Sequence, residues 1–372
     1  MKVPMLDLRA QYAAIKPEID AAVEQVLMSQ QFRGGPMLER FEVGLAEFAQ
    51  VRHALGVSSG TDALYLALKA LPLHPGDEVI TSPFTFFATA SAIVHAGCIP
   101  VFADIEPDTL NLDVSAVEAR ITPRTRAILP VHLFGQCARM DAFADMAKRH
   151  GLMLIEDAAQ ALGATYRGLA VGAWSEAATL SFYPTKNLGA AGEGGAILTN
   201  DDGIAEHIRL LRSHGADAPY HHSLLGFNSH LHTLQAAILD VKLKYLPEWN
   251  KARRERARYY SRRLSQLPGI KTPVESEGAY HVYHQYVIRV PQRDAIRCRL
   301  GEQGIGCGVF YPAPLYKQPC LSAYGRSEYP CKEAERACSE VLALPMYPEL
   351  SPAQQDAVMD VLEEHVIQFR ET

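Results

Sequence analysis

Between Arg52 and Asn200 short apolar runs alternate with stretches of helical periodicity, and this alternation constrains the fold more than any other feature of the chain. Residues 54–57, 78–81, 100–104, 127–131, 152–156, 178–182 and 196–199 read as strands. Residues 61–71, 86–95, 114–120 and 140–150 read as helices between them. Strands that must be joined through helices pair in parallel, and the helices then cover both faces of the sheet. The reading is therefore an α/β domain built on a mostly parallel sheet.

After this stretch, 235–246 reads as a buried helix and 251–264 as a strongly charged one. Beyond Pro268 the texture changes to a strand at 284–290, a helix at 294–303, a strand at 309–311 and a terminal helix at 352–365. We expect a large domain over residues 1–250, including an N-terminal helix at 12–28 that packs on the rest, and a smaller α+β domain over 251–372. With 372 residues the chain is long enough for both. The arginines and lysines of 251–263 surround Glu255 and read as a solvated helix face, with phosphate binding as the alternative.

Composition excludes several function classes. A net charge of -6 opposes nucleic-acid binding, which draws on a basic surface. No apolar run reaches the length of a membrane span, and residues 1–11 lack the apolar stretch of a secretory signal, so we expect a cytoplasmic protein. The 7 cysteines are scattered, odd in number and free of any C-x-x-C pair, which fits reduced thiols better than disulfides or zinc. The histidines around 214–232 lack carboxylates at ligand spacing, so no metal site is expected.

Three segments that end predicted strands carry the chemistry, and ligands of open α/β sheets sit beyond the strands' carboxyl ends. Ser58-Ser59-Gly60-Thr61-Asp62 opens a helix whose free N–H groups could hold an anion, although an ordinary cap looks the same. Leu154-Ile155-Glu156-Asp157 carries a carboxylate out of a buried strand, where it needs a cationic partner. A pyridinium nitrogen would be such a partner, and strand alternation separates the two candidate acids, of which we take Asp157. In Ser181-Phe182-Tyr183-Pro184-Thr185-Lys186-Asn187, Lys186 sits between hydroxyl residues and a glycine-rich turn. A lysine after a strand is most often a surface residue; desolvated here, it would be a nucleophile and a proton shuttle.

With Phe84–Thr89, Glu156–Gln160 and Gly226-Phe227-Asn228-Ser229 in order, the sequence resembles the DegT-type sugar aminotransferases, a branch of the fold-type I pyridoxal-phosphate (PLP) enzymes, over nearly its whole length. The resemblance implies a seven-stranded sheet, a PLP cofactor, and transfer of an amino group from an amino acid such as glutamate to a nucleotide-linked keto-sugar. It implies Lys186 as the Schiff-base lysine, Asp157 against the pyridine nitrogen, Gln160 near the ring hydroxyl and Phe86 on the ring face. Gly60, Thr61 and Ser181 would hold the phosphate, and Asn228 would reach it from the neighbouring subunit of a homodimer.

Two positions depart from the family pattern. His230 stands where arginine usually follows the Gly-x-Asn-Ser segment, and Phe310, before Tyr311, stands where histidine is usual. Both fall in substrate-facing regions, so we expect a pocket with less fixed positive charge and a preference for a neutral keto-sugar. The alternative is that another arginine, for instance from 251–263, supplies the charge. Two further readings are a PLP-dependent sugar dehydratase, which would carry histidine in place of Lys186, and a non-catalytic PLP-binding regulator.

Overall fold

A computed structural model describes residues 1–324 and 330–368. Two helices, α1 (Leu8–Ser29) and α2 (Pro36–Ala49), come first. The alternating stretch follows as β1 (His53–Val57), α3 (Gly60–Ala70), β2 (Glu78–Thr81), α4 (Phe87–His95), β3 (Ile99–Phe102), α5 (Val114–Glu118), β4 (Thr125–Leu129), α6 (Met140–His150) and β5 (Met153–Asp157). A short hairpin, β6 (Thr165–Tyr166) and β7 (Leu169–Ala170), precedes β8 (Ala177–Ser181), β9 (Gly195–Thr199) and α7 (Asp202–Leu211). A second small hairpin, β10 (Ala216–Ala218) and β11 (His221–His222), leads into α8 (Thr233–Leu243) and α9 (Leu246–Leu264). The chain closes with β12 (Ala279–Tyr280), β13 (Tyr286–Arg289), α10 (Arg293–Glu302), α11 (Lys332–Glu340), β14 (Val341–Leu344) and α12 (Pro352–Gln368).

The main sheet has 7 strands in the order β1-β9-β8-β5-β4-β2-β3. Strand β9 runs antiparallel to both its neighbours, and the other pairs are parallel. Strands β1, β8 and β5 therefore point the same way, and their carboxyl ends share one edge. Alternation divides their side chains between two cores. Ile128 and Leu154 pack with α2 and α6 on one face, while Ala127, Leu129 and Ile155 pack with α3, α4 and α7 on the other. Burial on both faces explains why these strands are almost continuously apolar in sequence.

Local chemistry sets the helix ends. Ser59 Oγ caps α3 by accepting from Asp62 N at 3.1 Å, and Asp201 caps α7 by accepting from Ile204 N at 2.8 Å. Helix α6 carries Asp141 in its first turn, three basic residues in its last, and a left-handed Gly151 as its stop.

Helix α1 buries Ile15, Ile19 and Val26 against Ala237, Ile238 and Val241 of α8. Helix α9 runs unbroken across residue 250, where we drew the boundary between the expected domains. Its Leu246 belongs to a core of the main sheet, whereas Ala257, Tyr260 and Leu264 belong to a C-terminal core with Tyr286, Ile288, Leu342 and Val358.

Two expectations are corrected here. Residues 309–311 form no strand: only Gly308 bridges, to Ala343, and the following Pro312 and Pro314 have no N–H to extend a ladder. The arginines of α9 are not a uniformly solvated face either. Arg253 is buried and donates to the carbonyls of Tyr283, His284 and Met346. Arg254 pairs with Glu275, and Arg263 with Asp356 and Glu363. Among the described residues no helix is long and apolar enough to cross a membrane.

Candidate active site

The shared edge of β1, β8 and β5 opens into a cavity of about 510 Å³. Gly60, Thr61, Phe86, Asp157, Gln160, Ser181, Lys186, Phe310 and Tyr311 all line it. Asn228 and His230 do not.

Asp157 is the last residue of β5 and is 4% exposed. Its side chain falls on the α4 side of the sheet, where Oδ2 accepts from Thr89 Oγ1 at 2.7 Å and Oδ1 from Ala159 N at 3.2 Å. Burial raises the pKa of this carboxyl, and the two hydrogen bonds and Lys186 oppose the rise. A buried carboxylate in this state favours a cation placed before it in the cavity.

Glu156 points through the opposite face, as alternation requires. It accepts from Ser175 Oγ at 2.6 Å, from Gly172 N at 3.1 Å and from His132 Nε2 at 2.8 Å. His132 Nδ1 accepts from Ala138 N at 3.1 Å, so the imidazole proton sits on Nε2 and is donated to Glu156. Glu156 is thus satisfied by the fold alone, and it does not line the cavity.

Lys186 lies in the loop that leaves β8, where Lys186 N donates to Tyr183 O at 2.8 Å and Ala190 N to Phe182 O at 2.8 Å. Gly189 permits this close fold, since a Cβ there would stand 2.3 Å from Pro184 O. Burial of the amine lowers its pKa to about 8, against the opposing pull of Asp157. A neutral, nucleophilic fraction is therefore present near neutral pH.

The third element is the start of α3. Gly60 and Thr61, whose N–H groups have no partner within the helix, line the cavity beside Ser181. A Cβ at Gly60 would meet Ser181 Cβ at 2.6 Å, so glycine is required for strand β8 to lie so close. Gln160 is anchored: its Oε1 accepts from Phe134 N at 2.6 Å and its Nε2 donates to Tyr311 Oη at 3.2 Å. Phe86 stands at the rim, 59% exposed, with its ring 6.4 Å from that of Tyr311.

These features fit PLP: a buried acid for the ring nitrogen, a low-pKa amine for the aldehyde carbon, and a helix N-terminus with a serine for the phosphate. The aromatic rim supplies a stacking surface.

Asn228 is exposed, and its backbone pairs with Ser213. His230 Nε2 accepts from Arg33 Nη2, and burial followed by the charges of Arg33 and Arg212 lowers its pKa to about 4. The arginine beside His230 thus comes from residue 33, and none of the basic residues of α9 lines the cavity.

Sequence reasoning missed Thr85, Thr89 and His284, which structure the cavity. Thr85 and Thr89 carried a signal, since both fall in the Phe84–Thr89 segment; Thr85 precedes α4, Thr89 lies in its first turn, and their hydroxyls lie 3.1 Å apart. His284 had none, because apart from Gln285 its cavity neighbours are remote in sequence.

The family model described as the DegT/DnrJ/EryC1/StrS aminotransferase family matches residues 13–363. The chain is 50% identical over 371 residues to the "Pleiotropic regulatory protein" of Geobacillus stearothermophilus, covering 99% of this chain and 100% of that one. It is 44% identical over 363 residues to the "dTDP-3-amino-3,4,6-trideoxy-alpha-D-glucose transaminase" of Streptomyces venezuelae, covering 98% of this chain and 96% of that one. Among solved structures, S. venezuelae DesV superposes with a TM-score of 0.96 at 43% identity, covering 98% of both chains.

Proposed function

The chain belongs to the DegT/DnrJ/EryC1/StrS aminotransferase family and is a PLP-dependent aminotransferase of fold type I, and from that premise we propose that it moves an amino group from glutamate to a nucleotide-linked keto-sugar, as a cytoplasmic homodimer with shared active sites. The observation that carries the reading is the placing of Lys186 and Asp157 in one cavity, with the amine's pKa lowered to about 8 by burial. The Streptomyces venezuelae relative, a sugar-nucleotide transaminase by name, supports the substrate class.

When bound, PLP supplies an electron sink for negative charge at the substrate carbon. Asp157 then carries its negative charge against the ring nitrogen and keeps that nitrogen protonated. Lys186 would hold the cofactor through its amine and, when not so engaged, would carry a proton to or from the substrate carbon. Gly60, Thr61 and Ser181 would hold the phosphate, joined in a homodimer by Asn228 of the partner subunit. Gln160 would face the ring hydroxyl and Phe86 would cover one ring face. Phe310 and Tyr311, which line the cavity, would face the sugar, whereas His230 lies outside the cavity of its own chain beside Arg33.

A regulator has one observation in its favour, the name of the Geobacillus relative. Turnover separates the two readings. Purified protein with PLP should be yellow, bleach when glutamate is added, and then aminate members of a panel of dTDP- and UDP-keto-sugars, read by product mass. Bleaching without amination of any sugar would defeat the proposed acceptor class, and no bleaching at all would favour the regulator. Neutral and carboxylated sugars belong in that panel, because Phe310 makes its side of the cavity apolar and we expect the neutral ones to react faster.

A further inference from the structure

His284 lines the active cavity yet is only 7% exposed, and one of its ring nitrogens is already committed. Nδ1 lies 3.1 Å from Asn187 Oδ1. The orientation of that amide is fixed from the far side: Asn187 Nδ2 donates to the backbone carbonyl of Val282 at 3.2 Å and to Asn250 Oδ1 at 2.8 Å. A carbonyl can only accept, so reversing the amide would set two oxygens against each other. Asn250 is fixed in turn, because its Nδ2 donates to Leu162 O at 3.2 Å. Asn187 therefore presents an oxygen to His284, and Nδ1 must carry the hydrogen.

The ring is neutral as well. Burial is the first cause that drives its pKa well below the ordinary value, and the positive charges of Lys186 and Arg253 act in the same direction. A neutral imidazole protonated at Nδ1 has a lone pair at Nε2 and nothing to donate there. No residue among those described hydrogen-bonds to Nε2. The cavity wall thus presents an acceptor open to a donor placed inside the cavity.

We infer that His284 is a positioning residue for Lys186: its unprotonated Nε2 is the acceptor toward which the Lys186 amine turns during proton transfer, a bond the amine does not make in the rotamer seen here. The amine suits this role because Asn187, which locks the histidine, follows Lys186 directly in the chain. One short loop then holds both the donor and the orientation of its acceptor. Asp157 is the charged group facing Lys186 from the sheet, and His284 is the titratable one from the C-terminal side, with Arg253 and His281 behind it. A neutral acceptor gathers the lysine without neutralising it, so the amine keeps its proton to deliver.

The inference rests on Lys186 being the reacting amine, and the test separates the two claims. Borohydride reduction of the PLP-loaded protein, followed by peptide mass spectrometry, first shows whether the cofactor is attached at Lys186; attachment elsewhere would overturn the assignment of the lysine itself. Full-length protein carrying pyridoxamine phosphate then has its Lys186 titrated by competitive acetylation. In His284→Phe the apparent pKa of Lys186 should fall by about one unit, the size expected for a lost hydrogen bond to a charged group. His284→Gln, which can place an oxygen near Nε2, should restore most of that fall. An unchanged midpoint in folded His284→Phe overturns the inference, and a raised KM for the sugar with the midpoint unchanged assigns the acceptor to a substrate hydroxyl instead. Nitrogen NMR of [15N]histidine-labelled wild-type protein, with His284 assigned through the Gln variant, gives a check that does not depend on the Phe variant folding. Hydrogen on Nδ1 is expected, and hydrogen on Nε2 would sink the idea.

Discussion

Glu156 and Asp157 are neighbours in the chain, yet their carboxylates lie on opposite faces of the sheet, the first tied to His132 and Ser175 and the second to Thr89 at the cavity wall. Substitution should therefore separate them by effect. Asp157→Asn should bind PLP and melt close to wild type while losing most transamination, because an amide cannot hold the ring nitrogen protonated. Glu156→Gln should instead lower stability by about 1–3 kcal/mol, since it puts an amide among donors that need an acceptor. Denaturant melts and turnover on both variants check this, and equal activity loss with equal destabilisation would refute the division of roles.

Lys186→Ala should abolish turnover by far more than the roughly 10²–10⁴-fold typical of losing a general base alone, because the same amine serves covalent attachment and proton transfer. The fold should survive. Measurable wild-type-like amination by this variant would remove Lys186 from the mechanism.

The lowered pKa of Lys186 has a signature in the cofactor-free protein. A lysine whose folded pKa is about 8, against 10.5 for the free group, binds fewer protons folded than unfolded between those two values. The burden on stability is fully present below pH 8 and is lifted as pH rises through the window toward 10.5. Lys242, which donates to Gly189 O at 2.7 Å, also has a pKa lowered to about 8 by burial, so the raw pH curve mixes both lysines. The difference between wild type and Lys186→Met isolates one of them. Relative to that variant, wild type should gain melting temperature from pH 8 to pH 10, and a flat difference would contradict the lowered pKa.

Asn228 is exposed and lies outside the cavity of its own chain, which suits a role across a dimer interface. Mixing inactive Lys186→Ala with an inactive Asn228 variant should regenerate activity, since a heterodimer would contain one site with both lesions and one with neither. Absence of recovery despite demonstrated subunit exchange would end the shared-site reading.

Arg33 and His230 offer a test of charge. His230→Arg would set a second guanidinium against the first, so stability should drop, and Arg33→Ala on that background should recover it. The coupling between the two sites should fall within the roughly 0.5–3 kcal/mol seen for residues in contact. Additive effects would mean that the two side chains do not meet in solution.

Much of this was legible in the sequence, and the limits have physical causes. The strands and helices from Arg52 to Asn200 follow from periodicity because burial on both faces of a parallel sheet leaves a strong apolar signature. The placing of Asp157 and Lys186 in one cavity followed from strand alternation and from which strand ends share an edge. Thr89, His284 and Arg33 did not follow, because each acts on a partner far away in the chain. Residues 309–311 have the apolar look of a strand, but the prolines at 312 and 314 matter more than that look. Lys251, Arg258 and Arg262 are solvated as the sequence suggests, but Arg253 was misread because composition cannot reveal the backbone carbonyls that receive it.

Helix α9 has a mechanical consequence. Its Asn250 ends the relay that orients Asn187, one residue from the lysine, while Arg253, on the next turn, grips the carbonyls of Tyr283, His284 and Met346. A single stiff rod is thus clamped to the lysine loop and to the C-terminal strand region within a few residues of each other. Any tilt of that rod is felt in both places together, so substitutions in the C-terminal core that displace α9 act as a lever on the reacting amine without touching the cavity wall.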